Sequence, residues 1–427
     1  MPAVPHTHAA AFIDFIEASP TSFHAARTIA SQLTIAGFHE VFETSAWRRP
    51  PENGFVRRDG AVIAWRLPKT WTGTTALRIV ASHTDSPALK LKPRGVGSRG
   101  GYLLAETEIY GGPIVPTWFD RDLALAGRVI DTEGGIHLLR TPGFARVSTL
   151  AVHLDRELGR NLPVDAQRDL NAIVCLDSSG DPVGGDELAA VIAEEAGLEP
   201  DQIAAEELFF VPSEPPALLG LHSELLASYR LDNLASVFST LSGFLTSVGG
   251  EHVQLLAAFD HEEIGSGTPS GASGPFLAQV LRRLSLANGF SEDDHLAWLA
   301  RAVALSADVA HGVHPNRPER HDAVIQPRLG GGPVLKWSAP MRYATDAVST
   351  AAWTRACAAA GIDFQVFVNN GNIPGGTSLG PLLATRLGIN TVDAGVAVMS
   401  MHSARELCAV ADIACFAQLS AGLLQLD

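Results

Sequence analysis

The chain has 427 residues, enough for two domains or for one large α/β domain carrying an insertion. Hydrophobic residues make up 46% and charged residues 18%, with 40 Gly and 26 Pro along the length, which excludes a disordered or fibrous chain and describes a compact, loop-rich enzyme. The formal net charge of −15 removes the positive footprint that phosphate backbones and anionic lipid surfaces require, so neither nucleic acid nor membrane is expected as a partner.

Met1 to Ala10 lacks the basic stretch and long apolar core of a secretory signal, and no run is apolar enough to span a bilayer, so a cytoplasmic enzyme is expected. Phe12, Ile13, Phe15 and Ile16 open a helical stripe that Ser19-Pro20 breaks, and a second stripe runs from Phe23 to Gly37. Ala76 to Ala81 reads as a strand whose exit is Ser82-His83-Thr84-Asp85. From Pro93-Arg94 to Leu226 the texture changes to turns, short alternating runs and Gly-Gly pairs, with helical patterns only near Asp186–Ala196 and Asp201–Glu207.

After Arg230 strands and helices alternate. Helices are predicted over Asp232–Val248, Pro275–Ala287, Asp346–Ala360, Ser378–Leu387 and Glu406–Leu424, and strands over Val253–Phe259, Ala302–Ser306, Phe364–Val368 and Thr391–Val392. The fold class is therefore α/β, in three stretches: 1–93, a β-rich insertion at 94–229, and 230–427. Cys175, Cys357, Cys408 and Cys415 form no C-x-x-C pair, and three sit in Ala-rich helical patterns, as reduced structural thiols do.

Chemistry-bearing residues collect where strands end, which is where open α/β sheets place their sites. His83 and Asp85 follow one predicted strand, Asp260-His-Glu-Glu263 a second, and Asp308 a third; Asp232 opens a helix and His402 lies on a loop entering the terminal helix. Singly, each is an ordinary turn former or cap. Together, two His and three carboxylates are what two zinc-like ions about 3.5–4 Å apart require if one carboxylate bridges them. Asp85, two residues from His83, is placed to accept the second imidazole N–H and fix the tautomer. In the Glu262-Glu263 pair neighbouring side chains diverge, which assigns Glu263 to metal and Glu262 to the proton of the attacking water; the alternative is an exposed acidic turn.

No H-E-x-x-H helix, G-x-S-x-G elbow, P-loop or dinucleotide fingerprint is present. His311-Gly-Val-His314 is set aside as a metal pair, because its surroundings are loop-like and the five-ligand set is complete without it.

With these residues in hand, the chain resembles the aspartyl aminopeptidases, a family of dinuclear metallo-aminopeptidases. The likeness runs through Phe15-Ile-Glu-Ala-Ser-Pro-Thr-Ser-Phe-His24, Ser82-His-Thr-Asp-Ser-Pro87, Thr117-Trp-Phe-Asp-Arg-Asp-Leu123, Arg230-Leu-Asp-Asn-Leu234, Asp260-His-Glu-Glu-Ile-Gly-Ser266 and Met401-His-Ser-Ala-Arg-Glu406. The resemblance implies a metallopeptidase sandwich, a central mixed sheet flanked by helices and interrupted by an inserted dimerisation domain, assembled as a homo-dodecamer with its active sites facing an internal chamber. It implies two divalent ions, zinc first with manganese or cobalt as alternatives, bridged by Asp232, with His83 and Asp308 on one ion and Glu263 and His402 on the other, and Glu262 as catalytic base. Peptides with N-terminal Asp or Glu are the implied substrates. Lys336, in Gly330-Gly-Gly-Pro-Val-Leu-Lys336, matches the residue expected to meet the acidic side chain, with Tyr343 and Arg342 close enough in sequence to assist. His153 is similar to a histidine that a neighbouring subunit lends to the site, a satisfied structural histidine being the alternative. Asn372 and Gly375 depart from the Asp and Cys that relatives commonly carry. Against this stand a dinuclear hydrolase of other specificity, such as a neutral aminopeptidase or a deacylase, and a non-catalytic assembly protein of the same fold.

Overall fold

The structure is a computed structural model that describes residues 6–159, 161–177 and 185–426; the first five residues of the Met1–Ala10 stretch lie outside it. By its contacts the chain divides into two compact units, one of residues 1–85, 217–401 and 406–427, the other of residues 86–216 and 402–405.

The first unit is built on a nine-stranded mixed sheet. Its four central strands, Val253–Phe259, Leu77–His83, Val303–Ala307 and Asn390–Gly395, run parallel. Leu77–His83 is buried along its whole length, the continuous apolar pattern of a strand covered on both faces. Ala61–Arg66 joins on one side and Val334–Lys336 on the other, both antiparallel to their neighbours. Helices cover the faces, with Trp65, Phe276 and Trp298 among the fully buried side chains. The register is what matters for function: Phe259 pairs with His83 and Ser306 with Ala81, so the carboxyl ends of three strands finish at nearly one level. The residues that follow them emerge together.

A five-stranded sheet in the same unit corrects two expectations. Glu406–Ala409 is a strand, not the first turn of the last helix, because it pairs antiparallel with Leu225–Ser228; the helix begins at Val410. Cys408 thus sits on a strand and only Cys357 and Cys415 on helices. Ala217–Leu219 and Leu225–Ser228 belong to this sheet and so to the first unit.

The second unit is strand-rich. Seven strands form its sheet, and Ile203–Pro212 pairs with both Ala88–Arg99 and Asp122–Asp131, closing the sheet on itself. Strand order, not local pattern, decides Ile203–Pro212: the helix expected over Asp201–Glu207 is a short turn at Pro200–Gln202 followed by this strand. The helical pattern near Asp186 is a helix over Gly185–Ala196. Ala404 packs into this unit's core beside Trp118 and Leu123, which draws residues 402–405 to it. Among the described residues no helix is long and apolar enough to cross a membrane.

One buried acid on the last helix gives a pH prediction. Asp412 is 1% exposed and accepts the N–H of Gly330 at 2.7 Å and of Gly332 at 2.9 Å. Burial outweighs those two bonds and pushes its carboxyl up to about 6 from the ordinary 3.8. A folded value above the unfolded one means stability present below pH 3.8 and lost as pH rises through about 6. The stability difference between wild type and D412N, whose amide does not titrate, should therefore fall by about 2 kcal/mol between pH 4 and pH 7. Denaturant midpoints at both pH values measure it, and a difference independent of pH would show that Asp412 ionises normally.

Candidate metal centre

His83 closes its strand with 1% of its side chain exposed. Its Nδ1 lies 3.2 Å from the carbonyl oxygen of Asp85, and its Nε2 lies 3.4 Å from Asp232 Oδ1 and 3.5 Å from Asp308 Oδ1. With the ring proton on Nδ1, the Nε2 lone pair confronts two carboxylate oxygens, and only a proton or a cation at that point relieves the repulsion. Burial favours the neutral ring, yet Asp232, Asp308 and Asp85 outweigh it and hold His83 well above the usual imidazole range. Donor atoms of His83, Asp232 and Glu263 all lie within 4.8 Å of one another. One nitrogen and two or three carboxylate oxygens, buried and converging, form a donor set that fits a zinc-type divalent ion.

The local backbone explains how the ligands reach this point. Arg230 adopts a left-handed conformation and donates to the carbonyls of Ser19 and Thr84, so the chain enters its helix from a fixed corner. Asp232 is non-helical, its N–H donates to Glu406 Oε2 at 2.9 Å, and the peptide joining it to Asn233 is cis. The next side chain, Asn233, donates to the Ala307 carbonyl at 2.9 Å, tying this corner to the strand that precedes Asp308.

Asp85 does more than face His83. Its Oδ1 accepts the N–H of Glu262 at 3.0 Å and its Oδ2 the N–H of Glu263 at 3.1 Å, so one carboxylate grips the backbone of both glutamates. The His83 Nδ1 stands 3.2 Å from the Asp85 carbonyl oxygen and 3.4 Å from its Oδ1, so Asp85 faces this side of the ring with both groups. Glu262 and Glu263 lie on a short 3-10 turn entered through His261 in a left-handed conformation. Burial, reinforced by Asp308, Asp85 and Asp232 against the opposing charge of His83, pushes the Glu262 carboxyl up to about 7.

Asp308 follows its strand directly, and its Oδ2 accepts from Lys336 Nζ at 3.0 Å. Burial would raise this carboxyl, but the ammonium holds it below the usual range. Lys336 ends the strand Val334–Lys336, is 1% exposed, also donates to the Val309 carbonyl at 3.3 Å, and stands 5.0 Å from the centre of the Tyr343 ring. Burial favours the neutral amine, but Asp308 and Asp393 outweigh it and raise Lys336. Tyr343 is itself 4% exposed.

His402 belongs to the second unit, where its ring Nδ1 is 2.9 Å from the Gly112 carbonyl and its own carbonyl accepts the N–H of Ile114. His153 is exposed in that unit, among the exposed apolar side chains Leu150, Val152 and Leu154. Arg342 is exposed. At Gly375, φ is +64° and a Cβ would lie 2.3 Å from Asn369 Nδ2, so this departure from the family pattern has a local steric reason. Asn372 is exposed, its N–H donating to Asn370 Oδ1.

Sequence reasoning set His311 aside, and the structure brings it in. It is half-buried against Phe367, and Lys336, Asp232 and Asp308 all act on it electrostatically. Its signal was the position three residues beyond Asp308 on the short strand Ala310–His311. His314 is exposed.

The family described as aminopeptidase I zinc metalloprotease (M18) matches residues 15–422. The chain belongs to the M18 family. A probable M18 family aminopeptidase 2 from Streptomyces coelicolor is 44% identical over 412 residues, 95% of this chain and 94% of its own. Among solved structures, the complex of Ape4 with Nbr1 is similar at 32% identity with a TM-score of 0.94, covering 98% of this chain and 86% of that one. The S. cerevesiae mApe1 dodecamer is similar at 26% identity and TM-score 0.86, over 98% and 96%. This M18 protein is thus a metallo-aminopeptidase, with the His83, Asp232 and Glu263 cluster as its candidate metal site.

Proposed function

We propose that this M18 aminopeptidase works with two divalent ions and releases N-terminal Asp or Glu from peptides. The observation that carries the specificity is the buried Lys336 ammonium, 3.0 Å from Asp308 at the edge of the donor cluster. A desolvated cation there can receive a carboxylate side chain through charge-assisted bonds.

Asp232, His83, Asp308 and Glu263 would hold the ions, with His402 added to the set on the strength of the sequence motif alone. Zinc is the first candidate, with manganese and cobalt as substitutes. When bound, the ions supply Lewis acidity toward the scissile carbonyl and the attacking water. Glu262 takes the proton of that water and returns it to the leaving amine, its backbone held by Asp85. Tyr343 and His153 complete the substrate pocket, His153 coming from a neighbouring subunit of a homo-oligomer. A cytoplasmic dodecamer is the assembly proposed, in keeping with the dodecameric relative.

One observation favours a second reading. Lys336 is already engaged by Asp308 and the Val309 carbonyl, and an ammonium so occupied suits a neutral aminopeptidase equally. Rates on Asp-, Glu- and Leu-terminated anilides, before and after chelation and on return of zinc, manganese or cobalt, separate the two. Chelation should abolish activity, and acidic substrates should exceed the Leu substrate in kcat/KM by at least about tenfold. Parity or a preference for Leu would establish the neutral reading, and activity that survives full metal removal would defeat the metal mechanism.

A further inference from the structure

Asp393 is wholly buried on the strand Asn390–Gly395, which lies between Val303–Ala307 and Val334–Lys336. Its Oδ1 accepts the Ser378 hydroxyl at 2.6 Å and its Oδ2 accepts the N–H of Ala344. Its backbone N–H donates to Thr345 Oγ1 at 2.9 Å. Space for this side chain is made by a glycine, since a Cβ on Gly380 would lie 2.2 Å from Asp393 Oδ2. A buried carboxylate is costly unless its lone pairs are filled and a countercharge is near. Here both oxygens have donors, and Lys336 on the adjacent strand is among the charges that act on it.

None of these partners is a metal ligand. What they share is the segment they fix: Ala344 and Thr345 follow Tyr343 directly, and the Tyr343 ring stands against Lys336 Nζ. We infer that Asp393 is a positioning residue for the substrate pocket, tying the Tyr343–Thr345 turn and Ser378 to the central sheet and so setting Tyr343 against the Lys336 ammonium. This rests on the reading of Lys336 and Tyr343 as substrate-facing. A single side chain that holds two chain segments separated by a helix and a strand controls pocket shape more than it controls the chemistry at Glu262.

The test uses the metal-loaded enzyme, an Asp-terminated anilide, free aspartate as inhibitor, metal analysis and thermal melting. In D393A both side-chain bonds are lost, so KM for the anilide and the inhibition constant of aspartate should each rise about tenfold, with kcat within about threefold and metal content unchanged. D393N can turn its amide so that the oxygen faces Ala344 and the nitrogen faces Ser378, keeping both bonds, and should restore KM to within about threefold of wild type. Should D393A fail to fold, D393N combined with S378A decides the matter: the amide nitrogen then lacks its acceptor, and KM should rise about threefold to fivefold above D393N alone. Unchanged KM in D393A, or in the double variant where it is the one that folds, overturns the role, as does a loss confined to kcat. Lys336→Ala in parallel separates the two levels of the argument. If it leaves KM for the Asp substrate unchanged, the pocket reading has failed; if it raises KM while the Asp393 variants do not, only the positioning role has.

Discussion

Replacing Glu262 by Gln should lower kcat on any accepted peptide by roughly 10²–10⁴-fold, the usual worth of a positioned general base, while both KM and metal content stay close to wild type. The amide keeps the shape of the side chain but cannot accept a proton. The backbone N–H of Glu262 is gripped by Asp85 Oδ1, a contact the substitution leaves in place, so the turn that also carries Glu263 should not move. Glu262 is not among the three residues whose donor atoms converge, which is why metal should remain. Steady-state kinetics with metal analysis on the same preparation make the measurement. A variant within a few-fold of wild-type kcat would remove Glu262 from the reaction, and one that has lost its metal would make it a ligand.

Lys336→Ala should have the second large effect. The ammonium is buried and donates to Asp308, so its loss does two things: it deprives an acidic substrate of a cation, and it leaves the Asp308 carboxylate in the interior without its countercharge. The second consequence falls on every substrate alike. The first falls only on acidic ones, where truncating one partner of a buried charged pair costs roughly 10²–10³-fold. The expected result is a fall in kcat/KM of that size for Asp- and Glu-terminated peptides beyond whatever loss the Leu-terminated peptide shows. Equal losses on all three would mean that Lys336 serves Asp308 alone, and the neutral aminopeptidase reading would take its place.

Much of the centre was legible before any coordinates. His83, Glu262, Glu263 and Asp308 follow strands whose apolar, β-branched runs are written locally, and the parallel register then brings those strand ends to one level. Asp85 was also visible, from its spacing to His83, but its work was not. Its carboxylate binds backbone N–H groups 177 and 178 residues away, and a backbone donor has no signature in the sequence.

The sequence by itself determined the fold class, the presence of a strand-rich region and the candidacy of His83, Asp232 and Glu263 for metal, because side-chain periodicity and ligand chemistry are properties of short stretches. Tertiary structure alone decided that Glu406–Ala409 is a strand and that Ile203–Pro212 closes the inserted sheet. Each runs against a helical reading of its own residues and is settled by a pairing partner far along the chain. It alone paired Lys336 with Asp308 and set Asp393 behind the Tyr343 turn. Burial and charge pairing depend on which segments become neighbours, and sheet order, which local pattern does not encode, makes that choice.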